Sequence, residues 1–393
     1  MDPKDIVCLD VETTGLDRDE LEILQLSIVR GDGQVLMNEY FKPERHREWK
    51  QAMAVNGITP EFLKDKKPFA MYRDEIDNLL KDKKLIVGYN CDWFDIPVLQ
   101  KNGIRFPDGI ESFDVMQKFA PVYGEWNQEK QSWKWQKLTK CAEYYGYTFK
   151  AHDALEDVKA TLHCYHRLSD HLRLKDSLEA LKIQNTQMQE VTDFLQNQGI
   201  RTEVIQQLID AKCLYQGTDQ RGEPVAVLIG SDTEGRINSA KTLDLDPTGK
   251  GTEISTTSRE ERGLILDFQK KDNPEEKEKE LLVFDSELEA MAYMSILEQQ
   301  GYCCTDFAYQ ICEDGDEDVQ AARASEMQQY SRVSVMKAGN GAIQATVAAG
   351  AHKAAQTINR YARSGRTWSE INRKLRKEEK EPSKSKTKRE RSH

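Results

Sequence analysis

The sequence lacks several features that would assign it to common classes of protein. It has no uninterrupted run of about 18 apolar residues, so we expect no membrane span. Its eight cysteines include no C-x-x-C pair, which argues against a zinc site and a disulfide framework. The first residues carry acidic side chains directly before a strand-like run, unlike a signal peptide. These absences favour a cytoplasmic protein in a reducing compartment.

An excess of basic residues is also missing. The chain has 56 Lys and Arg against 67 Asp and Glu, and its net charge of -11 has the wrong sign for a passive coat on nucleic acid. The charge is unevenly distributed. Residues 1–170 carry 24 basic and 30 acidic side chains, residues 171–351 carry 18 and 32, and residues 352–393 carry 14 and 5. Over 393 residues, this asymmetry predicts several domains with different roles.

Strand-like and helical segments alternate within residues 1–170. Short apolar runs end at Asp10 and at Gly88, and Gly31-Asp32-Gly33 has the composition of a hairpin turn. A helix is expected from Asp92, which would cap it, and further helices are expected over residues 137–145 and 154–168. Hairpin and crossover connections together predict an α/β fold with a mixed central sheet flanked by helices.

The rest of the chain divides into three parts. Residues 171–200 have the spacing of a helical linker, and residues 201–351 alternate between helix and strand signals, with Thr202 as a helix cap. This pattern predicts a second, α+β domain. Residues 352–393 are expected to form a basic helix and a disordered tail, which could hold a polyanion near an otherwise acidic protein. The basic residues of the helix are Arg360, Arg363, Arg366, Arg373, Lys374, Arg376 and Lys377.

Two carboxylates stand at the end of the first strand. Asp10 and Glu12 are two residues apart, and side chains alternate along a strand, so both point to one face about 7 Å apart. Like charges held this close are costly unless a cation lies between them. A divalent metal is therefore a candidate ligand, although a solvated strand end is the simpler interpretation of the pair taken alone.

Two further acidic elements follow. Asp95 comes after the strand that ends at Gly88, and ligands gather at the carboxyl ends of strands in open α/β sheets. Asp153 and Glu156 have the spacing of a capping box, which starts a helix. His152 then lies just outside this helix, and Asp157 lies on it.

Together these elements resemble the three motifs of the DEDDh family of 3′→5′ exonucleases. The family includes the proofreading subunit of the bacterial replicative polymerase and ribonuclease T. The matching segments are Asp10-x-Glu12, Asn90 to Phe94-Asp95, and His152-x-Ala154-x-x-Asp157, and the resemblance covers about residues 1–170.

The resemblance implies a ribonuclease-H-like sheet and a hydrolase with two Mg²⁺ or Mn²⁺ ions. In the family pattern Asp10 bridges the ions, Glu12 and Asp157 complete one site, and Asp95 supports the other. His152 accepts a proton from the attacking water. The product is a 5′-mononucleotide from a 3′ end of DNA or RNA. Replication or repair proteins are the partners that such an enzyme implies.

Aromatic and basic residues alternate between residues 126 and 140, a pattern that suits a single strand whose bases stack and whose phosphates pair. Trp135 is expected to pack in the core instead. Thr13 and Thr14 follow the first motif, and Asn90 and Phe94 belong to the second. The candidate nucleic-acid contacts are Thr13, Thr14, Asn90, Phe94, Trp126, Lys130, Trp133 and Lys134.

The second domain weakly resembles the toprim-like modules of mobile-element primases. Such modules hold Mg²⁺ with a strand-end acid and a later D-x-D, for which Asp285 and Asp314-Gly315-Asp316 are candidates. An acidic surface loop is the simpler interpretation of the latter. One alternative to an enzyme also remains: a non-catalytic adaptor of a mobile-element replication or transfer complex that only binds nucleic-acid ends.

Overall fold

A computed structural model describes residues 1–231, 236–246, 251–256, 264–268, 279–311, 330, 332–336 and 367–380. The chain divides into two compact units, Met1–Ser169 and Asp170–His393. Two expected features lie outside the described residues: the acidic pair Asp314 and Asp316, and the ends of the basic segment at 352–366 and 381–393.

The first unit is built on a five-stranded mixed sheet in the order β3-β2-β1-β4-β5. The two hairpin-connected pairs are antiparallel, whereas β4 runs parallel to both β1 and β5. This sheet confirms the α/β fold class expected from the sequence. The strands are β1 (Ile6–Thr13), β2 (Ile23–Arg30), β3 (Val35–Tyr40), β4 (Leu85–Gly88) and β5 (Glu111–Asp114), and a separate hairpin comprises β6 (Trp126–Asn127) and β7 (Ser132–Trp133).

Helices of the first unit occupy the connections between these strands and the segment that follows them. The apolar sides of α2 and α3 pack on the sheet through Ile76, Val98 and Leu99, which removes their surface from water. The helices are α1 (Lys50–Asn56), α2 (Arg73–Leu80), α3 (Asp95–Lys101), α4 (Val115–Tyr123), α5 (Leu138–Tyr144) and α6 (Ala154–Ala180).

The second unit contains two four-stranded sheets, ordered β11-β10-β9-β8 and β12-β14-β13-β15. The first is antiparallel, and β13 of the second is parallel to both neighbours. Its strands are β8 (Leu214–Thr218), β9 (Pro224–Ser231), β10 (Ile237–Asp244), β11 (Gly251–Thr256), β12 (Leu264–Asp267), β13 (Glu280–Phe284), β14 (Phe307–Ile311) and β15 (Arg332–Val335); its helices are α7 (Gln189–Asn197), α8 (Thr202–Asp210), α9 (Glu287–Gln299) and α10 (Trp368–Lys380).

Residues 171–200, expected to form a helical linker, supply buried side chains to the second unit. Leu174 and Leu178 pack with apolar residues of β9, and Val191 and Leu195 of α7 join the main core of that unit. Thr202 is the first residue of α8 rather than its cap, because Arg201 occupies the N-cap position. Apolar side chains of residues 171–200 are therefore buried in the second unit, although the polar composition of this segment indicates a linker.

The basic helix is not a free arm where the structure describes it. Trp368, Ile371 and Leu375 of α10 are buried in the core of the second unit. Arg373 and Arg376 donate hydrogen bonds to Gln198 and Ile200, which lie between α7 and α8. The expectation of a tethered cationic arm is wrong for residues 368–377, because one helix face is apolar and charge composition conceals it.

Within the described part of the chain, none of the helices is both long enough and apolar enough to cross a membrane.

Candidate active site

The first part of the site is an open edge of β1. Strand β4 pairs with β1 only through Ile6, Val7 and Cys8, so the backbone of β1 beyond Cys8 has no strand partner on that side. The N–H of Val11 instead donates to the Asp95 carboxylate at 3.0 Å. Asp95 is the first residue of α3 and is buried. A crossover helix thus brings a carboxylate to the sheet edge, as the sequence predicts.

Asp10 and Glu12 lie on one face of β1, at the point left open by β4. Asp157 approaches them from α6. The start of this helix is fixed by Asp153, whose Oδ1 accepts hydrogen bonds from the N–H groups of Leu155 and Glu156 at 3.0 and 3.3 Å. One carboxylate oxygen from each of Asp10, Glu12 and Asp157 lies within 4.8 Å of the others. The structure therefore brings together these three predicted metal ligands.

His152 lies at the entrance to this cluster. It is exposed, and its N–H donates to Asp157 Oδ2 at 3.1 Å. Its backbone has φ of 72°, in the left-handed region that few residues other than glycine adopt. Such a conformation costs free energy, and it orients the chain so that His152 contacts Asp157 just before α6 begins.

The four acidic groups destabilise one another's charged forms. Burial raises the pKa of Asp10 well above its usual range, and repulsion from Asp95 adds to this. Burial likewise raises the pKa of Asp95, against the lowering effect of the Val11 N–H. The pKa of Glu12 rises to about 7 and that of Asp157 to about 6, again chiefly through burial.

These groups fit a hard divalent cation. Carboxylate oxygens are the ligands that Mg²⁺ and Mn²⁺ prefer. No Lys or Arg of the described residues is among the causes that shift the four pKa values. A dication would supply the missing positive charge and lower all four pKa values.

Asn56 is a residue of the site that the sequence analysis missed. Its Nδ2 donates to Glu12 Oε2 at 3.1 Å, while its Oδ1 accepts from the Ile58 N–H at 3.0 Å. The second bond fixes the orientation of the amide, so that its N–H₂ group faces Glu12. Asn56 ends α1, and Gly57 follows in the left-handed conformation. No signal in the sequence links this helix end to Glu12.

Asp114 at the end of β5 was also missed, although an acid directly before a helix is a capping signal. Its carboxylate accepts hydrogen bonds from the N–H groups of Asn90, Asp92 and Gln117. The oxygen and sulfur atoms of Cys91, Asp92 and Asp114 lie near one another. Because backbone N–H groups already surround Asp114 and burial raises the pKa of Cys91, this cluster is a structural support for the loop after β4.

The loop after β4 corrects one expectation. The N-cap of α3 is Phe94 and not Asp92. Phe94 packs against the hydrophobic core of the first unit, whereas its neighbour Trp93 is 58% exposed. Asn90 has φ of 66°. The sequence alone does not indicate which of two adjacent aromatic side chains packs in the core.

The two threonines after Glu12 are buried, and their hydroxyls have partners within the protein. Thr13 Oγ1 donates to the carbonyl of Gly15 at 2.6 Å, and Thr14 Oγ1 accepts from the Glu22 N–H at 2.9 Å. These bonds stabilise the turn that follows the first motif.

Trp126 and Trp133 face each other in the β6–β7 hairpin and are 44% and 40% exposed. Lys130 lies in the hairpin turn, and Lys134 forms an ion pair with Glu125 at 2.5 Å. Trp135 is 57% exposed, so the expectation that it packs in the core is wrong. Its apolar character suggested burial, but Trp135 lies in the segment between β7 and α5, which begins at Leu138.

The toprim-like candidates do not form a comparable cluster in the described residues. Asp285 is exposed, and Asp314 and Asp316 lie outside the described residues. The Glu289 carboxylate accepts hydrogen bonds from the N–H groups of Trp368 and Ser369 at the start of α10. Among the described residues, both groups of acidic and cysteine side chains with metal-ligand spacing lie in the first unit.

Comparison with known proteins finds relatives of the first unit. Residues 7–165 match the exonuclease family typified by ribonuclease T. The DNA polymerase III subunit epsilon of Rickettsia conorii is 37% identical over 98 residues, which are 24% of this chain and 41% of that protein. The PolC-type DNA polymerase III of Thermotoga maritima is 34% identical over 90 residues, or 22% of this chain and 6% of that protein.

Among solved structures, E. coli exonuclease I in complex with a dA16 oligonucleotide aligns with 61% of this chain and 54% of that chain, at 20% identity and a TM-score of 0.35. This chain spans less than half the length of the curated relatives described above. Residues 7–165 are therefore similar to the exonuclease domains of the ribonuclease T family.

Proposed function

We propose that this chain is a metal-dependent 3′→5′ exonuclease that releases 5′-mononucleotides. The observation that supports this most is the approach of Asp10, Glu12 and Asp157 to within 4.8 Å inside an exonuclease-family domain. Buried acids with strongly raised pKa values and no cationic partner are characteristic of functional sites.

The metal ligands of the proposal are the four carboxylates. Asp10, Glu12 and Asp157 would hold one Mg²⁺ or Mn²⁺ ion, and Asp10 with Asp95 would hold a second. Two such ions stabilise both the attacking and the leaving oxygen of a phosphodiester. Asp95 also retains its hydrogen bond from Val11, which keeps its carboxylate at the open edge of β1.

His152 is the proposed general base. A histidine imidazole can accept a proton from an attacking water while the phosphodiester is cleaved. Its exposure at the entrance of the cluster allows it to reach solvent. The bond from its own N–H to Asp157 limits how far its backbone can move from the acids.

The proposed substrate is DNA with a free 3′ end. The relatives described above are named as components of DNA polymerase III, which supports DNA over RNA and a replication assembly as partner. Digestion of matched single-stranded DNA, single-stranded RNA and recessed duplex ends would rank the substrates directly.

The experiment is a comparison of two acid-to-amide variants on a single strand labelled at its 3′ end, in Mg²⁺. Asp10→Asn should release almost no labelled mononucleotide. Asp108→Asn, which changes an exposed acid between α3 and β5, should match the wild type and controls for loss of one negative charge. Equal release by wild type and Asp10→Asn would sink the enzyme proposal and favour the non-catalytic adaptor.

A further inference from the structure

The first unit exposes three tryptophans within a short segment. Trp126, Trp133 and Trp135 have 44%, 40% and 57% of their surface in solvent. Large aromatic side chains gain free energy by burial, and contiguous exposed apolar surface on a protein commonly marks a binding site. We call these three exposed rings, of which Trp126 and Trp133 are in contact, the tryptophan surface.

The hairpin that carries the tryptophan surface is well ordered internally. Trp126 pairs with Trp133 across the two strands, with ring centroids 4.9 Å apart at an angle of 81°. In the turn, Asn127 Oδ1 accepts hydrogen bonds from the N–H groups of Glu129 and Lys130 at 3.0 and 3.1 Å. A short two-stranded hairpin is marginal on its own. Cross-strand aromatic pairing and the Asn127 turn thus hold the rings in a defined arrangement before any ligand binds.

A hydrogen bond ties the end of the hairpin to the loop that leads into the carboxylate site. The Tyr89 hydroxyl donates to the carbonyl of Gln136 at 2.8 Å. Tyr89 directly follows β4, and the same loop continues to Asp95 at the start of α3. A ligand that contacts the tryptophan surface therefore lies on an element joined to the active-site loop.

The charge around the rings favours an anionic partner. Lys130 and Lys137 are exposed, and neither is in an ion pair with a carboxylate of the described residues. Lys134 is already paired with Glu125, a contact that braces the base of the hairpin. Flat rings next to unpaired cations match the two features of a single strand, its stacking bases and its phosphates.

We propose that the tryptophan surface binds the single-stranded part of the substrate by stacking bases a few nucleotides from the 3′ end. This inference rests on the proposed exonuclease function and adds a preference for single strands. In a duplex the base faces are covered by their neighbours, whereas a single strand can offer each base to a ring.

The test measures binding without hydrolysis. Fluorescence anisotropy of a labelled single-stranded DNA of about 12 nucleotides would be recorded in EDTA, with Asp10→Asn as the parent. Adding Trp126→Ala with Trp133→Ala should weaken binding roughly tenfold or more, since each base–aromatic stack contributes about 1–3 kcal/mol. Trp126→Phe with Trp133→Phe should restore most of the affinity because a ring remains.

Two controls separate stacking from charge and from general damage. An oligonucleotide of equal length that lacks most of its bases should bind parent and tryptophan variants alike. Met71→Ala removes another exposed apolar side chain, 67% exposed in the short helix Phe69–Tyr72, and should bind like the parent. If the double alanine variant unfolds, Trp135→Ala alone repeats the test outside the paired strands.

Undiminished affinity in the alanine variants would overturn this inference, whether or not the wild type is an exonuclease. The two proposals fail differently. Wild-type protein that binds single strands through these rings but releases no mononucleotide would contradict the exonuclease proposal and leave the tryptophan surface in place.

Discussion

Acidic residues of the two units have opposite surroundings. In the first unit, the carboxylates of Asp10, Glu12 and Asp157 converge, no Lys or Arg of the described residues is among the causes that shift their pKa values, and burial raises the pKa of each. In the second unit, Glu287 is buried beside Lys241 at 2.5 Å, with both side chains 6% exposed. Asp267 is likewise paired with Lys279 at 2.7 Å.

This difference distinguishes acidic residues that form a binding site from acidic residues that form ion pairs within the folded protein. Carboxylates that face a lysine or backbone N–H groups are already neutralised within the protein, and they favour the folded state as they stand. Carboxylates that face one another leave negative charge that must be offset either by protonation or by a bound cation. The comparison explains why the acidity of residues 171–351, although greater than that of residues 1–170, does not by itself indicate a metal site.

The largest expected effect is on catalysis. Asp157→Asn should lower the rate of mononucleotide release about a thousandfold or more, because it removes charge from the converging acids. Asp285→Asn, an exposed acid of the second unit, should leave that rate unchanged. The contrary result would be that Asp285→Asn abolishes a second Mg²⁺-dependent activity on DNA while mononucleotide release persists. That result would contradict the difference between the two units and support the toprim-like prediction.

The next largest expected effect is on stability, through the buried ion pair of Lys241 and Glu287 in the second unit. Lys241→Met leaves Glu287 buried without its cation and should cost about 3–5 kcal/mol of unfolding free energy, measured by urea titration. Replacing both residues, as Lys241→Met with Glu287→Gln, should recover much of this loss. A single variant as stable as the wild type would show that the pair contributes nothing to folding.

The carboxylates of the first unit should also make the free energy of unfolding depend on pH. The pKa of Glu12 is raised to about 7 and that of Asp157 to about 6 in the folded protein, above their unfolded values. Between about pH 4 and pH 7 the folded state therefore binds more protons, and its stability falls as pH rises. Without metal, we expect a loss of up to about 3 kcal/mol from pH 5 to pH 8.

Saturating Mg²⁺ at pH 8 should reverse this loss, and Asp10→Asn should reduce it. Urea titrations in EDTA and in Mg²⁺ at the two pH values measure both effects. Stability that rises with pH in EDTA would contradict the account of the carboxylate site.

The smallest expected effect concerns Asn56. Asn56→Ala removes the hydrogen bond that orients Glu12 and should weaken Mn²⁺ binding about tenfold, as loss of a residue behind a metal ligand commonly does. Asn56→Gln, which keeps an amide, should recover part of the affinity. Calorimetric titration measures this, and equal affinity in Asn56→Ala would remove Asn56 from the site.

Much of the site was predictable because its residues obey local rules. Alternation along β1 places Asp10 and Glu12 on one face, the end of β4 precedes Asp95, and Asp153 caps the helix that carries Asp157. The unpredicted features depend on contacts between distant segments. Asn56 reaches Glu12 across 44 positions, and α10 buries Trp368 against Tyr293 with ring centroids 5.0 Å apart.

The aromatic residues show most clearly which features the sequence does not predict. Phe94 packs in the core while its neighbour Trp93 is exposed, and Trp135 is exposed where core packing was expected. Periodicity assigns a face only within a regular element, and all three residues lie outside the helices and strands.

The most direct test of the carboxylate site is a calorimetric titration of Mn²⁺ into the wild-type protein and Asp10→Asn at pH 8. We expect saturable binding to the wild type, since at this pH Glu12 and Asp157, whose pKa values are raised to about 7 and about 6, are largely deprotonated and can bind the ion. Asp10→Asn should lose most of this binding. Identical titrations for the two proteins, or no binding to either, would contradict the claim that the converging acids form a metal site.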